Sequence, residues 1–259
     1  MSRSKVNSSE SSDPKIVWHA SSTEAPLKPG SPIGTLEVFC GSAKLSAELQ
    51  RQGFHAVGID WAGNKDTPQS RVVRMDCTEE NSYQTILRIV KENRIAFVHF
   101  APPCGTASRA REIRRKAGPD PKPLRSDSRP EGVDGLKGTD AIRVEKANAL
   151  YKLTATICLE LERIGVGWSV ENPINSLMWQ TSWFKSAMLD LKDKAATVDF
   201  DACMHGGSRP KGTRWWCGSA VNFASLKARC NNKHTHLPWS LKDTASERKY
   251  PDLLCKRVA

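Results

Sequence analysis

Ile95-Ala-Phe-Val-His-Phe-Ala-Pro-Pro-Cys104 is the stretch that decides the fold. The run up to Phe100 is apolar and of strand length. Pro102 and Pro103 then end it, because each fixes φ and removes a backbone donor. A buried strand is therefore predicted over residues 95–100, with the Cys104 thiol just past its carboxyl end. Open α/β sheets place their chemistry at that end of their strands.

Outward from this strand, strand and helix patterns alternate. Upstream, strands are predicted over residues 35–39, 56–60 and, more briefly, 71–75. A helix over 43–52 puts Leu45 and Leu49 on one face and stops at Gly53. A second, over 82–93, turns Ile86, Ile89 and Val90 inward. Downstream, Leu150, Leu153, Ile157 and Leu161 recur at helical spacing. The strand over 166–170 runs into Glu171-Asn172-Pro173, and a helix near 182–191 and strands over 195–200 and 213–217 follow. This alternation predicts a single Rossmann-like α/β domain, with a mostly parallel seven-stranded sheet and helices on both faces. Residues 1–33, rich in Ser, Pro and Lys, read as a disordered tail, and 34–259 as the domain. Within the domain, 105–138 is a long basic insertion with several prolines, read as a structureless functional loop, and 218–259 a reduced C-terminal region.

The 259 residues carry a formal net charge of +11, which favours a polyanionic partner such as nucleic acid. The eight cysteines include no pair two residues apart, and the N-terminus has no apolar signal core. Free thiols in a reducing, intracellular compartment are expected, the nucleus in a eukaryote and otherwise the cytoplasm, with no membrane partner.

Three features converge on one chemistry. A short glycine-containing turn, Phe39-Cys-Gly41-Ser42, follows the first strand, and Asp60-Trp61 ends the second. An acidic residue there can accept hydrogen bonds from ribose hydroxyls, and Trp61 can stack on a base. Cys104 and, much later, Glu171-Asn172 supply a thiol and a carboxylate.

In this order and setting the chain resembles the cytosine-5 methyltransferases of DNA, from Leu36 to about Trp216. The resemblance implies an S-adenosyl-L-methionine-dependent methyltransferase domain. Cofactor contacts fall on Phe39, Gly41, Ser42, Asp60, Trp61, Asp76, Cys77 and Pro102. It implies Cys104 as nucleophile, Glu171 at the base, and Arg209 and Lys211 as their cationic neighbours, with Ser108 matching a downstream serine. In that family's chemistry a thiolate adds to carbon-6 of cytosine, so that carbon-5 can take the methyl group. The base must leave the duplex to be reached. Arg109, Arg111, Arg114, Arg115 and Lys116 are the expected phosphate contacts. The departures are specific. Ala43-Lys44 stands where the family carries paired glycines, and Gly105 where it carries glutamine. Gly207 and Lys211 replace a glutamine and an arginine, and the family's target-recognition domain is expected to be missing or vestigial after Cys217. DNA is the expected substrate, with a partner protein open as the source of target recognition. RNA methylation on the same fold and a catalytically weak nucleic-acid-binding module are the alternatives.

Cys217, Cys230, His234, His236 and Cys255 are the remaining metal-binding residue types near the C-terminus. Cys230-x3-His-x-His is not a standard ligand spacing, so a packed segment with no metal is expected.

Overall fold

The structure is a computed structural model that describes residues 17–19, 33–113, 120–239 and 247–259. Its elements in chain order are β1 (Val17–His19), β2 (Gly34–Val38), α1 (Lys44–Arg51), β3 (His55–Asp60), β4 (Val72–Arg74), α2 (Ser82–Glu92) and β5 (Ile95–Phe100). After the insertion come α3 (Gly138–Arg163), β6 (Gly167–Pro173), α4 (Ser182–Asp190), β7 (Ala196–Asp201), β8 (Gly212–Cys217) and α5 (Asp252–Val258). One sheet takes the order β1-β4-β3-β2-β5-β6-β8-β7. The central strands β4, β3, β2, β5 and β6 pair in parallel. β8 runs antiparallel between β6 and β7. The seven expected strands are β2–β8. β1 adds an eighth at the edge, antiparallel to β4, inside the segment expected to be a tail. The rest of that tail lies outside the described residues.

Both faces of the sheet are covered, which is why β5 and β6 read as continuous apolar runs. Leu36 and Val38 of β2 pack with Val98, Phe100, Ile86 of α2 and Ile157 and Leu161 of α3. On the opposite face Leu45 and Leu49 of α1 meet Ala56 and Cys255 of α5. A second group there joins Phe200, Trp215 and Cys217 to Leu226 and Leu254. Among the described residues no helix is long and apolar enough to cross a membrane.

The sheet's order reverses at β2, between β3 and β5, and this opens a crevice at the carboxyl ends of those strands. The insertion beside the crevice is more ordered than a structureless loop. Ser108 caps a 3-10 turn over Arg109–Glu112 by accepting from the Ala110 amide at 3.2 Å. Arg125, only 1 % exposed, donates to Thr106 Oγ1 at 3.1 Å, to the Pro130 carbonyl at 2.6 Å and to Asn148 of α3 at 2.7 Å. Its guanidinium also lies 5.2 Å from the centre of the Tyr151 ring. This arginine, one of the insertion's cations, pins the insertion to α3.

Candidate active site

The Cys104 turn is held at each carbonyl. That of Pro102 accepts from Asn172 Nδ2 at 2.9 Å, and that of Pro103 from the Tyr151 hydroxyl at 2.7 Å. The Cys104 carbonyl accepts from the amides of Ala107 and Ser108, at 3.0 and 2.8 Å. Two prolines and these bonds leave the thiol on a fixed backbone at the end of β5. Asn172 belongs to β6, so its amide ties one strand end to the next, and Glu171 precedes it.

Lys211, just before β8, reaches Glu171: its Nζ stands 3.5 Å from Oε1. That separation is long for a hydrogen bond. Among the described residues, buried Glu171 Oε1 and Asn172 Oδ1 have no hydrogen-bond donor. Buried acceptors without donors are uncommon and mark a place for a ligand. Burial pushes the Cys104 thiol up, the Lys211 charge pulls it back, and the Glu171 charge adds to the rise. Burial alone would lower the Lys211 pKa, but Glu171 and Cys104 hold it above its ordinary value. Cys104, Glu171 and Lys211 thus form one electrostatic unit.

Arg209 meets the C-terminal segment. It is 4 % exposed, donates to Glu247 at 2.6 Å and to the Pro238 carbonyl at 3.1 Å, and lies 5.5 Å from the centre of the Trp239 ring. It holds the C-terminal segment in place, while Lys211 beside it reaches Glu171 and donates to the Glu247 carbonyl at 3.3 Å. Tyr250, in a stretch expected from the resemblance to lie against the cofactor side of the sheet, lines a cavity with Glu171 and Lys211. Its hydroxyl is 2.7 Å from His99 Nε2, and His99 Nδ1 is 2.7 Å from Ser169 Oγ. Burial pushes the His99 pKa down to about 3, so the imidazole is neutral. Burial, and then the Glu171 charge, push Tyr250 up. A cavity of about 20 Å³ lined by Glu171, Lys211, Thr213 and Tyr250 has room for one water molecule. The signals for His99 and Tyr250 were faint: a polar residue inside an apolar strand, and a tyrosine before a proline.

The expected cofactor residues divide. Phe39, Gly41 and Ala43 all have left-handed backbones, with φ of 60°, 54° and 51°, alternating with Cys40 and Ser42. The Gly41 amide donates to Asp60 Oδ2 at 2.6 Å and the Trp61 amide to Oδ1 at 2.8 Å. Asp60 therefore fastens the turn to β3. Asn64 Nδ2 donates to the Gly41 carbonyl at 2.7 Å and completes the attachment. Trp61 is 58 % exposed at the end of β3. Asp76, past the neighbouring β4, is also exposed and accepts from the Thr78 amide and hydroxyl. Trp61 and Asp76 thus leave an indole and a carboxylate open past the ends of β3 and β4. Cys77 does not offer its side chain: it is 5 % exposed, and burial pushes its thiol up to about 12. Pro102 is buried, with its carbonyl given to Asn172. Of the expected phosphate contacts, Arg109 pairs with Glu112 at 2.8 Å and with Asp127. Arg111 donates to the Lys122 carbonyl at 3.0 Å. Arg114, Arg115 and Lys116 lie outside the described residues.

No protein-family model matches the chain, and no curated protein matches its sequence. Solved structures match at low identity. An S. pombe Dnmt2 methyltransferase is 8 % identical over 84 % of this chain and 54 % of its own, with a TM-score of 0.43. The Entamoeba histolytica methyltransferase EhMeth is 14 % identical over 80 % of this chain and 57 % of its own, at 0.42. A Spodoptera frugiperda DNMT2 mutant is 12 % identical over 80 % of this chain and 56 % of its own, at 0.41. The chain spans little more than half the length of each.

Proposed function

We propose that this chain is a methyltransferase that modifies carbon-5 of cytosine in DNA through a covalent adduct at Cys104. The observation that carries the reading is the convergence of Cys104, Lys211 and Glu171, with Glu171 Oε1 buried and lacking a hydrogen-bond donor. S-adenosyl-L-methionine, held by Phe39, Gly41, Ser42, Trp61 and Asp76, would supply an electrophilic methyl group when bound.

The chain's own residues do the rest. Lys211 stabilises the Cys104 thiolate, which is the nucleophilic form. The sulfur bonds to carbon-6 of the ring, and Glu171 stabilises protonation at nitrogen-3 as electrons move onto carbon-5. After methylation the carbon-5 proton leaves, the carbon–sulfur bond breaks, and the thiolate returns. Asn172 and Tyr151 keep the nucleophile turn in register through the Pro102 and Pro103 carbonyls.

DNA carrying 5-fluorocytosine tests this, because fluorine replaces the proton that must leave. With cofactor present, an adduct that survives denaturation should form and map to Cys104, and Cys104→Ser should abolish it. Continued formation of 5-methylcytosine by Cys104→Ser would overturn the mechanism. Trapping on RNA and not on DNA would keep the mechanism and reassign the substrate.

A further inference from the structure

We propose that Cys203, Cys230, His234 and His236 form a tetrahedral zinc site that clamps the irregular C-terminal segment to the sheet. Their ligand atoms all lie within 4.8 Å of one another. Cys230 Sγ is 3.5 Å from His236 Nε2 and 3.9 Å from His234 Nε2, and the two Nε2 atoms are 3.0 Å apart. With zinc–sulfur bonds of about 2.3 Å and zinc–nitrogen bonds of about 2.0 Å, a tetrahedron has edges of roughly 3.3–3.8 Å. The observed separations scatter around those edges. Two thiolates and two neutral imidazoles also balance the charge of a divalent cation, and this mixed sulfur–nitrogen set favours zinc.

The spacing of Cys230, His234 and His236 gave no standard pattern because the fourth ligand is distant in sequence. Cys203 lies in the 3-10 turn Ala202–His205 that follows β7. Cys217 and Cys255, the other sequence candidates, are buried in apolar clusters. The loop is shaped to present its ligands. The Cys230 amide donates to Asp201 Oδ2 at 2.7 Å, which fixes that residue beside β7. Asn232 takes a left-handed φ of 57°, and its amide donates to Cys230 Sγ at 3.3 Å.

A staple has a clear use here. Among residues 227–239 no residue is buried, and Leu237 and Trp239 are 56 % and 54 % exposed. Beyond the ligands, the Leu237 amide donates to the Ser208 carbonyl at 3.0 Å, and Pro238 and Trp239 contact Arg209. The site would therefore fix the segment against which Arg209 packs, next to Lys211.

The test uses the full chain, purified without a histidine tag or chelator. Elemental analysis should give one zinc per chain, released as two of the eight thiols are titrated with a mercurial. Cobalt substitution should give the visible bands of a tetrahedral site with thiolate charge transfer, lost in Cys230→Ser and in Cys203→Ser. His236→Ala should weaken zinc at least tenfold in competition with a chromophoric chelator. If these variants do not fold, the zinc content and thiol protection of the wild-type chain decide. Wild-type protein that binds no zinc after dialysis against it, with both thiols freely reactive or joined as a disulfide, would overturn the site.

Discussion

In the proposed mechanism the thiol's reactivity turns on Lys211. It replaces an arginine of the family the sequence resembles, it reaches Glu171, and its charge lowers the Cys104 pKa. Because burial holds the Cys104 thiol above its ordinary pKa, alkylation of Cys104 should keep accelerating as pH rises past neutral. Lys211→Gln removes the leading charge that opposes this rise, so its rate profile should move to higher pH. At fixed mildly alkaline pH its iodoacetamide rate should fall about fivefold or more, and Lys211→Arg should restore most of it. Profiles that coincide for wild type and Lys211→Gln would show that the lysine does not act on the thiol. Cys104 and Glu171 could be placed from the sequence because apolar runs lead into them, Cys104 past the end of β5 and Glu171 within β6. Lys211 was legible only through the resemblance. The role of Arg209 was not, because its partner Glu247 arrives from a distant segment whose packing leaves no local pattern.

At the scale of elements, the carboxyl ends of β2, β3, β5 and β6 could be read because parallel strands covered on both faces are continuous apolar runs. The insertion could not, since a buried arginine such as Arg125 looks like any other cation until Thr106, Asn148 and Tyr151 surround it. The start of α1, by contrast, was read to within one residue. Its first residue follows Ala43, which offers no side-chain cap. Glu37 of β2 takes that part from the neighbouring strand, accepting from the Ser46 amide at 2.8 Å and hydroxyl at 2.7 Å. Burial nevertheless raises the Glu37 carboxyl from 4.5 to about 7, against the pull of those two bonds. The folded state therefore holds this proton more tightly than the unfolded chain. The associated stability is fully present below about 4.5 and is lost as pH rises to about 7. The loss is on the order of 3 kcal/mol. Glu37→Gln should flatten this part of the urea-midpoint profile. Parallel profiles for the two proteins between those pH values would show that Glu37 is not its source.

For the whole molecule, 39 lysines and arginines face 28 carboxylate residues, and much of the described charge is already committed. Arg109 has Glu112 and Asp127, Arg214 has Asp199, Arg209 has Glu247, and Arg125 is buried in the insertion. The expected phosphate contacts Arg114-Arg115-Lys116 form the densest basic run in the insertion's sequence, close in sequence to Cys104. Phosphate contacts release counterions, so each one contributes about 0.9 to the slope of log affinity against log salt on duplex DNA. Replacing all three residues by glutamine should lower affinity across unrelated sequences and reduce that slope by up to about 2.7. Arg109→Gln should change the slope much less, because its charge is compensated by two carboxylates before any phosphate arrives. The comparison is made by fluorescence anisotropy over a salt series, with circular dichroism confirming that each variant is folded. A slope unchanged in the triple variant but reduced by Arg109→Gln would place the phosphate track on the 3-10 turn after Ser108. The insertion's basic run would then have no part in binding the polymer.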